Sequence, residues 1–392
     1  MTGQGADPSE LRARMVQRLA ANAYLARWGT PMGPWWPALA AVPRHRFVPD
    51  TVWIDNADTG PMLLPLHRDE DPDEWLKLTY TDEAVITQID DGQPRGPGLA
   101  GAMPTSSLSS PIIVAVMLAA LDAQPGHRMC EIGTGTGYNA ALLAHRLGAD
   151  HVTSIEVDPD IATQARKALA GTGYGQVRVV TGDGAGGYRP GAPYDRTVAT
   201  AAVRRIPYPW VAQTRPGGRI LLPWANSYTS ALVDLAVDEY GGASGTVVGE
   251  SSFMWLREQR ELRGPVAAVV QNEDEADISV TGLHPYWVTA DLGAQLAIGQ
   301  RVPRCQWRYW PYDENDGSGT LWLLDFDSGS WAKLTHATPD ASDEEFRVYQ
   351  DGPRRLWNEV EAAHSWWADH GKPTADRWRF TVTPNGQRIE LN

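Results

Sequence analysis

The sequence of 392 residues predicts an α/β fold, with a doubly wound parallel sheet that has an antiparallel end and a smaller C-terminal α+β module. Three observations predict this architecture. Strand-like and helix-like segments alternate from 128 to 224, and three glycines follow the first of these strands. The segment 265–392 is rich in tryptophan and lacks the alternation. Alternating strands and helices are typical of a parallel sheet with helices on its faces.

Composition and charge exclude several classes of protein. The formal net charge of -14 argues against nucleic-acid binding, which needs clustered Lys and Arg. No run of apolar residues is long enough to predict a transmembrane helix, and the N-terminus lacks the apolar core of a signal peptide. The two cysteines, Cys130 and Cys305, form neither a disulfide framework nor a zinc motif. We therefore expect a cytoplasmic protein that binds neither membranes nor nucleic acid.

The N-terminal part is predicted to begin with a capped helix from about Pro8. Residues 55–78 are acidic and contain proline, so we expect a loop there. The alternation of "EAVITQI" (83–89) predicts a strand. Residues 90–111, dense in Gly, Pro and Ser, are predicted to be a loop, and a helix is expected over 112–121.

The central part is predicted to build the sheet. Strands are expected at 128–133, 151–158, 177–183, 194–202 and 217–224, and helices at 137–147, 159–170 and 207–214. The segments 230–239 and 244–256 are predicted to form an antiparallel pair that finishes this sheet.

The C-terminal part has a different pattern. Strands are expected at 265–271, 304–310, 320–327 and 379–384, and one helix at 354–371. The chain is therefore divided into an N-terminal cap and insert (1–105), a cofactor-binding core (106–258) and an accessory domain (259–392). Most of its tryptophans are expected in the core, since aromatic side chains contribute to cores as well as to binding surfaces. A dedicated module suggests a defined partner, a peptide, which we expect the accessory domain to recognise.

The spacing around the glycines favours a particular cofactor. Gly133, Gly135 and Gly137 form a G-x-G-x-G turn, Glu156 ends the second strand, and Asp183 follows the third. Such a turn lets a ligand lie against the backbone, and an acidic side chain at the next strand end can accept ribose hydroxyls. Dinucleotide sites usually show G-x-G-x-x-G instead. With Glu131 just before the turn, the pattern favours the cationic S-adenosyl-L-methionine.

The methyl acceptor is inferred from what the sequence lacks. The nine histidines show no metal-ligand spacing, and none ends a strand of the predicted sheet as a catalytic base would. A carboxylate acceptor explains both observations, because it is already deprotonated near neutral pH and needs only orientation. No metal site is predicted.

At the level of motifs, the sequence resembles the protein-L-isoaspartate O-methyltransferases over about residues 8–258. The resemblance rests on "VPRHRFVP" (42–49), "SLSSPIIVA" (107–115), "CEIGTGTGYNAALLA" (130–144), "SIEVD" (154–158), "GDGAGG" (182–187), "APYDRTVATAA" (192–202) and "PGGRILLPW" (216–224). It implies a Rossmann-like class I methyltransferase that esterifies aspartate or isoaspartate carboxylates in peptides. It also implies that Ser109 orients the acceptor, with Ser107 and Thr200 beside it. The alternative for Ser109 and Ser110 is that they only cap the helix that begins at Pro111.

The predicted site residues follow from these motifs. The cofactor-binding set is Leu108, Glu131, Gly133, Thr134, Gly135, Gly137, Glu156, Val157, Asp183, Gly184 and Thr200. The long segment 55–105, which lacks the usual "GQ" before the serine loop, and the C-terminal extension depart from the repair enzymes. They resemble extended actinobacterial members that methylate a normal aspartate in ribosomally made, modified precursor peptides. The ester then closes to aspartimide and can open to isoaspartate.

Other functions stay open at this point. The main alternative is a general protein-L-isoaspartate repair methyltransferase. A small-molecule methyltransferase and a noncatalytic peptide-binding protein that keeps the cofactor site as scaffold are further alternatives. The sequence leaves the peptide, the modified position and the oligomeric state open.

Overall fold

The structure is a computed structural model that describes residues 6–27, 32–55, 62–261, 263–312, 318–336 and 345–392. Its described part contains three sheets, of four, nine and five strands. None of the helices in these ranges is long and apolar enough to cross a membrane.

The described N-terminal part contains four α-helices and a four-stranded antiparallel sheet in the order β2-β1-β3-β4. The elements are α1 (Pro8–Ala20), α2 (Ala23–Arg27), α3 (Trp36–Ala41), β1 (Thr51–Ile54), β2 (Leu64–His67), α4 (Pro72–Thr79), β3 (Val85–Ile89) and β4 (Pro104–Leu108). Helix α1 begins at Pro8 after an Asp7 cap, as predicted.

Two predictions for this part are wrong. Residues 55–78 are not simply a loop, although 56–61 lie outside the described residues: β2 and α4 occupy much of the rest. Helix α4 forms because Asp71 caps it and Trp75 is buried beneath it. The predicted loop 90–111 contains β4, which pairs with β3 so that Val85 lies opposite Leu108.

The central part forms the predicted doubly wound core. Its elements are α5 (Pro111–Ala120), β5 (Met129–Ile132), α6 (Tyr138–Leu147), β6 (Val152–Glu156), α7 (Pro159–Gly171), β7 (Arg178–Thr181), β8 (Tyr194–Ala199), α8 (Tyr208–Gln213), β9 (Thr214–Ala225), β10 (Ser230–Val237) and β11 (Ala243–Glu250). Strands β7, β6, β5, β8 and β9 are parallel neighbours, and β10 and β11 are antiparallel. The carboxyl ends of the parallel strands therefore meet at one edge, where such folds bind ligands.

The C-terminal part has a sheet of its own and also extends the central one. Its elements are β12 (Asp277–Thr281), α9 (Leu292–Arg301), β13 (Gln306–Pro311), β14 (Gly319–Asp325), β15 (Ser330–His336), β16 (Phe346–Asp351), α10 (Leu356–Asp369), β17 (Trp378–Thr383) and β18 (Gly386–Leu391). Strands β12 to β16 form a five-stranded antiparallel sheet.

Two further predictions are corrected here. The pair β10–β11 does not finish the central sheet, because β17 pairs with β11 and β18 with β17, giving nine strands. Phe380 on β17 is buried and stacks edge-on against Trp224 on β9 with ring centroids 5.1 Å apart. Segment 265–271 is not a strand but contains a short 3-10 helix.

Candidate active site

The glycine turn between β5 and α6 has the backbone that the sequence predicts. Gly133, Gly135 and Gly137 have φ angles of 93°, 51° and 88°, which side-chain-bearing residues rarely adopt. A Cβ at Gly133 would also lie 2.6 Å from Thr200 Oγ1. The turn therefore exposes backbone at the carboxyl edge of the sheet, where a ligand can approach it closely.

Glu156 at the end of β6 is attached to this turn. Its carboxylate accepts a hydrogen bond of 2.9 Å from the Gly135 amide on Oε2 and one of 3.1 Å from the Asp158 amide on Oε1. Burial raises the pKa of Glu156, and these two amide bonds oppose the rise. The side chain is thus fixed in position, and its remaining lone pairs can accept the hydroxyls of a ribose.

The next strand ends supply an apolar surface and further polar groups. Val157 is 41% exposed, although it is apolar and follows directly after Glu156. The exposed Asp183 carboxylate accepts a bond from the Ala185 amide, and the buried Gly184 carbonyl accepts one of 2.8 Å from Trp210 Nε1. An adenine could stack on Val157 near these groups.

Glu131 lies inside the protein rather than at the open edge. Its carboxyl group accepts bonds of 2.7 Å from Asn139 Nδ2 and 2.5 Å from Ser154 Oγ, and Ser154 also bonds to Thr134 Oγ1 at 2.6 Å. Burial raises the pKa of Glu131 to about 7, against the lowering effect of these bonds. In this arrangement Glu131 and Thr134 hold the base of the turn and the start of α6.

The serine segment runs beside the glycine turn. A Cβ at Gly135 would lie 3.6 Å from the Ser107 carbonyl oxygen. Ser107 and Ser109 are half-buried and Leu108 is buried. Within the described residues the hydroxyls of Ser107 and Ser109 have no hydrogen-bond partner. The Ser106 hydroxyl accepts a bond of 3.2 Å from Thr87 Oγ1 and lies 4.0 Å from a Cβ at Gly135. Ser110 is the N-cap residue of α5, but its side chain makes no capping bond.

Thr200 closes the turn from the end of β8. Its hydroxyl donates to the Gly133 carbonyl at 2.6 Å, and its amide donates to the Ile132 carbonyl at 2.8 Å. These bonds hold the turn against the neighbouring strand. Ser107, Glu156 and Thr200 therefore all lie beside the glycine turn formed by Gly133 and Gly135.

Arg44 is a residue that the sequence analysis missed. It is fully buried, and its guanidinium donates to the Thr79 carbonyl and, at 2.8 Å, to the Ser109 carbonyl. Burial lowers the pKa of Arg44, against the effect of Tyr138. Arg44 therefore anchors the backbone of the predicted catalytic serine. In the sequence Arg44 stands beside His45 and Arg46 in "VPRHRFVP", and nothing there distinguishes it as the buried one.

A cleft of about 500 Å³ opens next to the turn. Its lining includes Ser106 and Gly135, two cations, Arg46 and Lys167, and one carboxylate, Asp50.

These features define the class of protein. The glycine cradle, the fixed carboxylate of Glu156 and the exposed Val157 fit S-adenosyl-L-methionine, and the fold is that of a class I methyltransferase. No cluster of three or more His, Cys, Asp or Glu that could hold a metal occurs among the residues that the structure describes.

Comparison with known proteins identifies the family. The family model for protein-L-isoaspartate(D-aspartate) O-methyltransferase matches residues 72–261. Protein-L-isoaspartate O-methyltransferase 2 of Archaeoglobus fulgidus is 33% identical over 252 residues, which cover 64% of this chain and 94% of that protein. The enzyme of Methanoculleus marisnigri is 47% identical over 161 residues, 41% of this chain and 72% of its own. The chain belongs to the protein-L-isoaspartate O-methyltransferase family, and it is an S-adenosyl-L-methionine-dependent carboxyl methyltransferase acting on protein or peptide.

A solved structure extends the likeness in fold to the C-terminal part. A protein-L-isoaspartate O-methyltransferase matches with a TM-score of 0.52 and 19% identity, over 97% of this chain and 99% of its own. A C-terminal extension therefore does not by itself set this chain apart from the family.

Proposed function

We propose that this protein methylates the free carboxylate of isoaspartyl residues in peptides and proteins, as a general repair methyltransferase. The observation that carries the proposal is the serine segment beside the glycine turn: the Ser107 carbonyl oxygen and the Ser106 hydroxyl lie 3.6 and 4.0 Å from a Cβ at Gly135, and Ser109 is half-buried two residues further on. The names of the relatives across the catalytic part support isoaspartate as the acceptor.

The chemistry asks for orientation more than for proton transfer. When bound, S-adenosyl-L-methionine supplies an electrophilic methyl group. An oxygen of the acceptor carboxylate forms the new C–O bond as the S–CH3 bond breaks, and the sulfur keeps the electron pair. Since the acceptor is ionised near neutral pH, no proton has to be removed. Ser109 would donate a hydrogen bond to the other carboxylate oxygen and align the attacking one.

The methyl ester then prepares the next step. An alkoxide leaves a carbonyl far more readily than an oxide would, so the following backbone nitrogen can attack and close an aspartimide. Hydrolysis of that ring gives a mixture of aspartate and isoaspartate, and repeated cycles convert isoaspartate to aspartate.

A second candidate is the tailoring of a normal aspartate in a defined precursor peptide, as in the extended actinobacterial members. It is favoured by the large exposed aromatic side chains of the C-terminal part, among them Trp287, Trp310 and Tyr312. Such side chains contribute strongly to recognition surfaces. The fold of that part does not discriminate, because a solved family member matches it as well.

The test uses two synthetic peptides that differ only in the linkage of one residue, isoaspartyl or aspartyl. Each is incubated with enzyme and cofactor, and intact mass is followed with time. A mass gain of one methylene on the isoaspartyl peptide alone supports repair. Methylation of the aspartyl peptide, free or within a cyclised precursor, would support tailoring. No methylation of any of these peptides would contradict a peptide-carboxylate acceptor.

A further inference from the structure

Residues 254–261, which we call the strap, cross the carboxyl edge of the central sheet before the chain enters its C-terminal part. The Ala202 amide donates to the Met254 carbonyl and the Leu256 amide donates to the Ala202 carbonyl, both at 2.8 Å. A Cβ at Gly184 would lie 3.7 Å from Leu256 Cδ1. The strap therefore runs from the end of β8 toward the predicted adenine side of the site.

One side of the strap is tethered to the loop after β8. The Gln259 side-chain oxygen accepts bonds from the Arg204 and Arg205 amides at 3.0 and 2.9 Å. Glu261 pairs with Arg204 at 2.6 Å. These contacts hold the strap in place without involving any predicted cofactor residue.

The other side carries two arginines that meet two aspartates. Arg257 Nη2 lies 3.3 Å from Asp158 Oδ2 and 3.2 Å from Asp91 Oδ1. Arg260 Nη1 lies 2.7 Å from Asp91 Oδ2. The hydrogen bond from Arg260 holds the pKa of Asp91 below its usual range, against a smaller effect of burial. The guanidinium groups therefore face ionised carboxylates at neutral pH.

Asp158 connects this ion cluster to the ribose acceptor. Its amide donates to Glu156 Oε1 at 3.1 Å, and its Oδ1 accepts from the Asp160 and Ile161 amides at the start of α7. Gln88 Nε2 donates to the same Asp158 oxygen that Arg257 approaches, at 3.1 Å. A shift of the Asp158 side chain would therefore disturb the loop that positions Glu156.

We propose that Arg257 is a positioning residue of the cofactor site, which acts through Asp158 on Glu156, while Arg260 keeps the strap closed against the segment that carries Asp91. This inference rests on the predicted role of Glu156 toward the ribose, and it links the strap to cofactor affinity. Neither arginine has to touch the reacting atoms.

The test measures binding of S-adenosylhomocysteine by calorimetry, which needs no methyl acceptor and so is independent of the proposed function. R257Q should weaken binding by about tenfold, since one charge-assisted bond in a half-buried cluster has about that effect. R257K, which keeps the charge, should recover part of the loss. The matched control is R204Q, which loosens the same strap on its other side and should change the affinity less than about twofold.

Three further measurements distinguish a positioning role of Arg257 from a general effect on folding. R257Q should raise KM for the cofactor and leave kcat nearly unchanged. The difference from wild type should shrink as salt is added, because an ion cluster open to solvent is screened. Melting temperatures of the ligand-free R257Q and R204Q variants should fall by similar amounts. Wild-type affinity in R257Q, or equal weakening in R257Q and R204Q, would overturn the proposal, and R257K decides the matter if R257Q does not fold.

Discussion

Ser109 and Ser110 are neighbours, but only one of them is expected to act on the acceptor. Neither hydroxyl has a partner within the described residues, and Ser110 does not cap α5 through its side chain. S109A should lower kcat by about 10- to 100-fold, because the hydrogen bond that orients the acceptor carboxylate is lost. The matched variant S110A should keep wild-type rates. The kcat of both variants is measured with whichever of the test peptides the wild-type enzyme methylates.

The same pair of variants also tests the capping alternative. Since the Ser109 hydroxyl makes no bond within the described part of the chain, S109A should leave the melting temperature unchanged. A fall in the melting temperature with unchanged kcat would mean that Ser109 is structural.

Glu131 should make stability depend on pH in a particular direction. Its pKa is about 7 in the folded protein, against an ordinary value of 4.5, so the folded state holds a proton that the unfolded state has released between those values. Stability from this group is therefore present at low pH and declines as pH rises toward 7. E131Q, which mimics the protonated group, should be more stable relative to wild type at pH 8 than at pH 4. Denaturant unfolding at both pH values measures this, and a constant difference would contradict it.

Some site residues could be predicted one by one, and others could not. The glycines are predictable because they lie in one local turn. Glu156 is predictable because it ends the next strand along the chain, so its distance from the glycines in the sequence indicates its position. Arg44 reaches Ser109 across 65 positions of the chain. Its partners are backbone carbonyls, which leave no mark on the sequence, so no spacing rule could have found it.

At the scale of elements, the sequence predicts the helices and strands with a regular apolar pattern, but it does not predict the polar elements α4 and β4. The parallel strands and α6 and α7 were predicted because apolar residues recur at regular spacing. Helix α4 was missed because acidic residues and a proline resemble a loop, although Asp71 caps it and Pro72 suits its first turn. Strand β4 was missed because serine and threonine fill it, and its pairing with β3 rather than its composition makes it a strand.

The position of β4 matters for function. Its pairing with β3 fixes the register of the serine segment, since Ser107 lies opposite Ile86. The serine segment is thus part of a sheet up to Leu108, where the composition of residues 90–111 predicts a loop. Orientation of an acceptor benefits from such a rigid support.

At the scale of the whole molecule, the C-terminal part is joined to the catalytic part through packed contacts. Buried residues of α9, α10 and β17 share one apolar cluster with the central sheet, and Tyr228 Oη donates to the Val288 carbonyl at 3.0 Å. Pairing between β11 and β17 links positions more than 130 residues apart, for example Gly245 and Phe380. Local patterns could not predict this pairing, which is why a separate module was expected.

Removal of residues 265–392 should therefore prevent folding before it affects recognition. It would expose the part of β11 that pairs with β17, residues 243–246, as an edge and uncover apolar side chains such as Trp224, and both favour aggregation. In the full-length protein, F380A should cost about 3–5 kcal/mol of unfolding free energy, the usual range for a buried phenylalanine. The exposed variant Y240A is the matched control and should leave stability unchanged, because Tyr240 is 94% exposed. Denaturant titration and solubility measure these effects. If the truncated chain stayed soluble and unfolded cooperatively at the wild-type midpoint, the catalytic part would be independent, and deletion would then report on substrate recognition alone.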